Sequence, residues 1–325
     1  MNKNIFEYFL KNKVIIFKKM FRRSLNYSMN ALSILVTMST VWSWCVPSEM
    51  SINVLFKRFE PIYAFTYLLL GVIAIGLICG IIREWPRLKA VCRSESGMEV
   101  SVECCDLLKQ DGYRVIHTTD TFDSDSRFYG DPNDVKKRTL CYNFINNCTK
   151  IGFDLTGHIN SGLKNYIVES FDDSLQGNKK RYPLGTVCKI NVSTNSSKVN
   201  KHDYFIIGDY LLVAFSHMRQ GNVVDLSLEE YKSLLDLIWM NISDSVKKTE
   251  KINIALLGQR FIRFPVSYTA EQKIGLMVES FYKTLNKGQF CNSMKICISS
   301  EVASSIDFDV MKEIMAFYSR KYFVK

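Results

Sequence analysis

The chain has 325 residues, 47% of them hydrophobic and 13% aromatic, enough for a membrane or targeting segment plus one or two domains with their own cores. Its net charge of +10 invites a nucleic-acid reading, but the charge is concentrated. Residues 1–28 carry seven Lys or Arg against Glu7, residues 83–93 carry Arg83, Arg87, Lys89 and Arg93 against Glu84, and everything else nets +1. Basicity that flanks two apolar stretches and leaves the bulk neutral is a membrane pattern, and it argues against nucleic acid as a partner.

In chain order, "NIFEYFLKNKVIIFKKMF" interleaves lysines with apolar residues. Residues 1–28 therefore read as a basic amphipathic segment, either lying along the cytoplasmic membrane surface or packed on its own protein. Residues 29–46, "MNALSILVTMSTVWSWCV", are uncharged but carry hydroxyls and Asn30. No small-x-small cleavage site follows, so a signal peptide fits poorly; a polar-faced membrane helix fits better, with an interfacial helix as the alternative. Residues 61–82, "PIYAFTYLLLGVIAIGLICGII", are 22 residues without a charge, long enough for ~30 Å of hydrocarbon. The pattern predicts a transmembrane hairpin within residues 29–94, with spans at about 29–46 and 61–82. The outer flanks are basic and the loop 47–60 is neutral. Both chain ends are then expected in the cytoplasm, in a multi-pass protein of the cell inner membrane.

Residues 95–325 have the polarity of a globular domain. "GMEVSVECC" and "YRVIHT" alternate as strands, and residues 134–148 look helical. Residues 155–181, with "DDSLQGNKKRYP", look the least structured. "GTVCKINV" is a strand, and "DYFIIG" with "YLLVAFS" reads as two strands around Gly208 and Asp209. Ser227 with Glu230 and Thr269 with Gln272 mark capped helix starts, on either side of the strand "KINIALLG". "SMKICIS" and a helix near 306–320 finish the chain. Such alternation predicts a three-layer α/β domain with a mostly parallel or mixed sheet.

Chemistry is sparse. Ten cysteines show no CxxC pair and no His/Cys metal spacing, which suits a reducing compartment. There is no GxSxG, HExxH, Walker or GxGxxG motif, and the four histidines pair with no nucleophile at short range. Asp120, Asp123 and Asp125 lack the Gly and Glu of an EF-hand, so no metal, cofactor or catalytic residue is assigned. Ligands of such sheets sit beyond the carboxyl ends of the strands. Three exits stand out there: "CCDLL" with Asp106, "HTTDTFDSDS" at 117–126, and "GQRFIRFP" at 258–265. Asp106 could meet an adenine or cap a turn. The second could bind or form Asx turns. The third runs through a glycine into a helix start, and Arg260 and Arg263 could clamp a diphosphate or face solvent.

These exits, in this order, resemble the macro-like domain of Thoeris antiphage defence effectors over about residues 97–285. Asp106 and Leu107 are similar to that family's Gly-Asp-aliphatic strand end, and Phe122 and Asp123 to its Asn-x-x-Phe-Asp-Thr loop. "RYPLGTVCKI" resembles its Tyr-Pro-aliphatic-Gly-Thr entry, and "IALLGQRFIRFPVSYTAEQKI" its diphosphate loop and helix. The resemblance implies a macro-like α/β/α domain behind a two-helix membrane hairpin. The ligand it implies is an ADP-ribose derivative, in this branch a histidine conjugate made from NAD by a TIR-domain partner. The implied contacts are Asp106, Leu107, Thr119, Asp120, Phe122, Asp123, Gly185, Thr186, Gly258, Gln259, Arg260, Phe261, Ile262 and Arg263. The implied output is membrane disruption by a homo-oligomer in the lipid bilayer, without enzymatic activity. The alternative is a membrane-tethered ADP-ribosyl or nucleotide hydrolase. Cys105, Thr119 and Arg260 replace the family's glycine, asparagine and loop glycine. The missing asparagine argues against hydrolysis, and Arg260 would crowd or contact a diphosphate.

Overall fold

In the computed structural model, residues 89–323 are described apart from 95–96, 131–132, 135–138, 176, 194–205, 218–223, 259–261 and 264–266, together with Met29, Ser33, Gly71 and Ala74. Contacts divide the chain into two units, Met1–Arg87 and Leu88–Lys325. In the first, the four described residues are helical. The amphipathic segment 1–28 and nearly all of both expected spans lie outside the described residues. Among the described residues no helix is long and apolar enough to cross a membrane.

The second unit is built on a seven-stranded sheet. Its strands are β1 (Lys89–Arg93), β2 (Glu99–Cys104), β3 (Tyr113–Thr119), β6 (Val187–Val192), β7 (Gly208–Ser216), β9 (Lys251–Ala255) and β11 (Ser293–Ile298). Their order is β1-β2-β11-β9-β3-β7-β6. The strands from β2 to β7 in that order run parallel, while β1 and β6 close the two edges antiparallel. Two-residue strands form side pairs: β4 (Ser170–Phe171) with β5 (Lys180–Arg181), and β8 (Val224–Asp225) with β10 (Ile262–Arg263).

Period-two alternation sends side chains of each central strand to two different cores. Ile116 of β3 and Tyr210, Leu212 and Ala214 of β7 pack with α1 (Leu140–Lys150) and α2 (Leu155–Gly162), around Phe144, Ile145 and Ile159. On the other face, Phe215 meets Tyr231 of α3 (Leu228–Ser245) edge-on, with centroids 6.3 Å apart. Trp239 of α3 meets Phe281 of α4 (Ala270–Leu285) at 5.0 Å. Beyond the short α5 (Ser300–Ala303), α6 (Phe308–Phe323) packs on α4 and β1. The result is an α/β/α domain on a mixed sheet, and both expected capping boxes are formed.

Three readings need correction. Gly208 and Asp209 do not turn a hairpin: they open β7, where Asp209 pairs with Asn191 of β6. The turn-like Gly-Asp pair lies at a strand start, where Gly208 is held beside the Arg114 guanidinium rather than in a tight turn. The stretch 155–181 is not structureless, for Asp154 caps α2 and β4–β5 follow. Its polar sequence hid a short helix with only Leu155 and Ile159 buried. Lys89–Arg93, read as the basic flank of a membrane span, is an edge strand. Alternation inside it buries Ala90 and Cys92 while its lysine and arginine stay out.

Candidate functional site

Parallel register brings the carboxyl ends of β2, β11, β9, β3 and β7 to one rim: Ile298 is opposite Cys104, Cys297 opposite Ala255, and Thr119 opposite Ser216. All three exits singled out in the sequence therefore leave the sheet on the same side. Gly185 joins them, since it donates its N–H to the Ala214 carbonyl at 2.7 Å, and Thr186 accepts from the Ala214 N–H at 2.9 Å.

At the first exit, Asp106 is exposed and caps a 3-10 turn over Leu107–Lys109, its carboxylate accepting from the Leu108 N–H at 3.1 Å. The turn is anchored to β3 because Arg114 Nε donates to the Gln110 carbonyl at 2.6 Å. Leu107 is 3% exposed, so its side chain belongs to the core and only its main chain faces the rim.

The second exit is a buried polar knot. The Asp120 side chain is fully buried and accepts from Arg181 at 2.6 Å and from His217 Nδ1 at 2.8 Å. A second arm of the same guanidinium reaches Asp172 at 2.8 Å. The Ser174 hydroxyl and then Arg181 hold the Asp172 carboxyl down at about 2. Thr119 shares a hydroxyl chain with Thr121 at 3.0 Å and with the buried Tyr129 at 3.1 Å. Phe122 adopts φ +47°, a left-handed conformation that disfavours a side chain by about 1 kcal/mol or more. It is held there by an N–H bond to the Thr119 carbonyl at 3.1 Å and by edge-on contact with Tyr182 at 5.7 Å. Asp123 takes the Asp125 N–H at 2.9 Å and the Asn178 N–H at 2.8 Å. Gly177 allows that approach: a Cβ there would lie 2.0 Å from Asp123 Oδ2, and its φ is +100°.

Asp120, Asp123 and Asp125 thus point to separate partners, Asp125 bonding Arg127 at 2.9 Å and capping its own 3-10 turn. Among the described residues no cluster of three His, Cys, Asp or Glu could hold a metal ion. The eight described cysteines are free thiols.

The third exit follows β9. Gly258, at φ +78°, turns the chain, and its carbonyl accepts from Lys273 Nζ at 2.9 Å. The Leu257 carbonyl accepts from the buried Tyr231 hydroxyl at 3.3 Å. Gln259, Arg260 and Phe261 lie outside the described residues. Ile262 and Arg263 are placed by their backbone, paired in parallel with Val224 and Asp225.

Sequence reasoning missed Arg181, His217, Asn178 and Lys273. Arg181 and His217 lie 61 and 97 positions from Asp120, a spacing no local motif reports. The available signals were positional: His217 directly follows the strand "YLLVAFS", and Arg181 opens "RYPLGT".

Comparison with solved structures finds the macrodomain of Oceanobacillus iheyensis with ADP at 10% identity, covering 72% of this chain and 97% of that one, with a TM-score of 0.37. That overlap is too loose to bear on the site. A search of the curated proteins finds no match. The family model described as "Thoeris protein ThsA, Macro domain" matches residues 100–299, which span β2 to the end of β11 and all three exits. The chain belongs to the Thoeris ThsA macro-domain family.

Proposed function

We propose that residues 88–325 form the sensor domain of an antiphage effector, and that the rim binds an ADP-ribose-derived signal. The observation that carries this reading is the convergence of the exits after β2, β3 and β9 on one rim of a ThsA macro domain. Asp106, exposed at the first exit, would accept from an adenine amino group. Gly258 is bonded to Lys273 of α4, and the stretch between them would offer main-chain donors and a positive helix end to a diphosphate. Arg260 and Arg263 belong to that loop and would add charge-assisted bonds. Two spans at 29–46 and 61–82, with both ends cytoplasmic, would anchor the sensor in the inner membrane. Signal made by a TIR-domain partner would then drive homo-oligomerisation and membrane disruption.

The reading is of a binder, not a hydrolase. The Asp120 carboxylate is already bonded to Arg181 and His217, and the loop has Thr119 where the family has asparagine. The test is calorimetric titration of the full chain in detergent with ADP-ribose and with its histidine conjugate, followed by chromatography of the recovered ligand. Tighter binding of the conjugate, returned intact, supports the sensor. Conversion of the ligand moves the function to a hydrolase, and failure to bind either compound removes the signal-binding reading.

A further inference from the structure

Of the eight described cysteines, seven are buried and only Cys105 is half-buried. It lies one residue past the end of β2, directly before Asp106. Parallel register puts Cys297 of β11 opposite Glu103, and Lys295 opposite Ser101. Side chains alternate along a strand, so Glu103, Lys295 and Cys297 share one face of the sheet, and Cys105, two residues after Glu103, follows them. The contacts agree: Lys295 Nζ lies 3.3 Å from the Glu103 carboxylate, and Cys105 packs against the core that contains Cys297. The two thiols are hydrogen-bonded. That bond, with the Lys295 ammonium, holds the Cys105 thiol below its ordinary pKa against partial burial and the Glu103 and Asp106 carboxylates. The same bond, with burial, pushes Cys297 up. One sulfur thus reaches solvent and ionises readily, while its neighbour is enclosed and protonated.

We propose that Cys105 and Cys297 are a peroxide-reactive thiol pair that closes to a disulfide across the ends of β2 and β11. The Cys105 thiolate attacks one oxygen of hydrogen peroxide. The S–O bond forms, the O–O bond breaks, and the hydroxide released takes up the proton that Cys105 gave away, as water. Cys105 is then a neutral sulfenic acid. The Cys297 sulfur attacks it, the S–S bond forms, and the sulfenic hydroxide leaves with the Cys297 proton as a second water. The thiol pair loses two electrons in all, and one peroxide is reduced to two waters. Cys105 lies past the last paired residue of β2, Cys104 opposite Ile298, so the approach of the sulfurs to about 2 Å is taken up outside the ladder. Such a bridge would tie the residue directly before Asp106 to β11, and the thiol reductants of a reducing compartment would reopen it. The pair uses no residue of the third exit and does not depend on the rim's binding a nucleotide.

The experiment treats the full chain in detergent with hydrogen peroxide, blocks the remaining thiols by alkylation, and maps the peptides without reduction. The expected product is a Cys105–Cys297 cross-link that dithiothreitol removes, formed by Cys104→Ala as by wild type and absent from Cys105→Ser. In Cys297→Ser, a dimedone-type probe marks Cys105 as the sulfenic acid. Should that variant not fold, Cys297→Ala carries the same step. Without peroxide, Cys105 is alkylated about tenfold or more faster than any of the seven buried cysteines. The proposal is overturned by a cross-link that survives Cys105→Ser, by a Cys105 that stays reduced at peroxide concentrations that oxidise free cysteine, or by alkylation of Cys105 no faster than that of the buried thiols.

Discussion

The Asp120 knot makes a quantitative prediction through Arg181. In Arg181→Gln the fully buried Asp120 carboxylate keeps His217 but loses its 2.6 Å guanidinium partner. Breaking a buried ion pair from one side costs about 3–5 kcal/mol, because the remaining charge is uncompensated. Arg181 is 15% exposed and His217 stays, so the low end applies, about 3 kcal/mol. For a domain the size of Leu88–Lys325, each kcal/mol moves Tm by ~2–4 °C, giving a drop of about 6–12 °C. Hydrogen exchange localises the effect: the Asp120 amide, bonded to the Ser216 carbonyl, and the Tyr182 amide, bonded to the Asp120 carbonyl, should lose protection first. Asp172→Asn removes only the solvent-side arm and should shift Tm far less. If the two variants destabilise equally, or if Arg181→Gln leaves Tm unchanged, Asp120 is not held by charge and the knot is misread.

Three further outcomes are expected. His117 is half-buried on β3 and its pKa is pushed down to about 4 by loss of solvation, against 6.5 for the exposed side chain. The unfolded chain thus binds more protons between those values, so stability is lost as pH falls from about 6.5 to about 4, by up to about 3 kcal/mol. Chemical unfolding of His117→Leu should show a flatter profile in that window, and an unchanged slope would refute the assignment. Gly177→Ala places a Cβ against Asp123 Oδ2 and the Phe128 ring at positive φ. It should cost about 2 kcal/mol in denaturant unfolding and loosen the 120–123 loop, whereas wild-type stability would show that the hairpin yields freely. Asp106→Ala removes one N–H acceptor from an exposed turn, a loss of under about 1 kcal/mol in stability, but should weaken ADP-ribose binding more than tenfold. A change in stability with unaltered affinity would reduce Asp106 to a turn cap.

Much of the domain was legible because its signals are local. Ser227 with Glu230 and Thr269 with Gln272 set the starts of α3 and α4, and both boxes close as read. Strand alternation in "GMEVSVECC" and "YRVIHT" gave β2 and β3 within a few residues. The failures are non-local. The antiparallel partner of β7 is β6, paired across a connection that includes residues outside the described set, and no local turn signal reports it. Asp120 was read with Asp123 as a loop contact to a ligand, yet its side chain is turned inward by an arginine and a histidine that no spacing rule connects to it. Asp106 is the turn cap that one of its two readings expected, with part of its carboxylate exposed beside Lys109.

The antiparallel setting of β1 has a mechanical consequence. A parallel first strand would have started at the opposite end of the sheet from the ligand loops. Here the strand starts at their end: Lys89 is paired with Glu103 and lies 3.6 Å from its carboxylate, which also holds Lys295 at 3.3 Å. Glu103 stands just ahead of Cys104 and Cys105, which lead into the Asp106 turn. The first residue of the sheet is therefore one rung of the ladder away from the strand end that leads into the Asp106 turn.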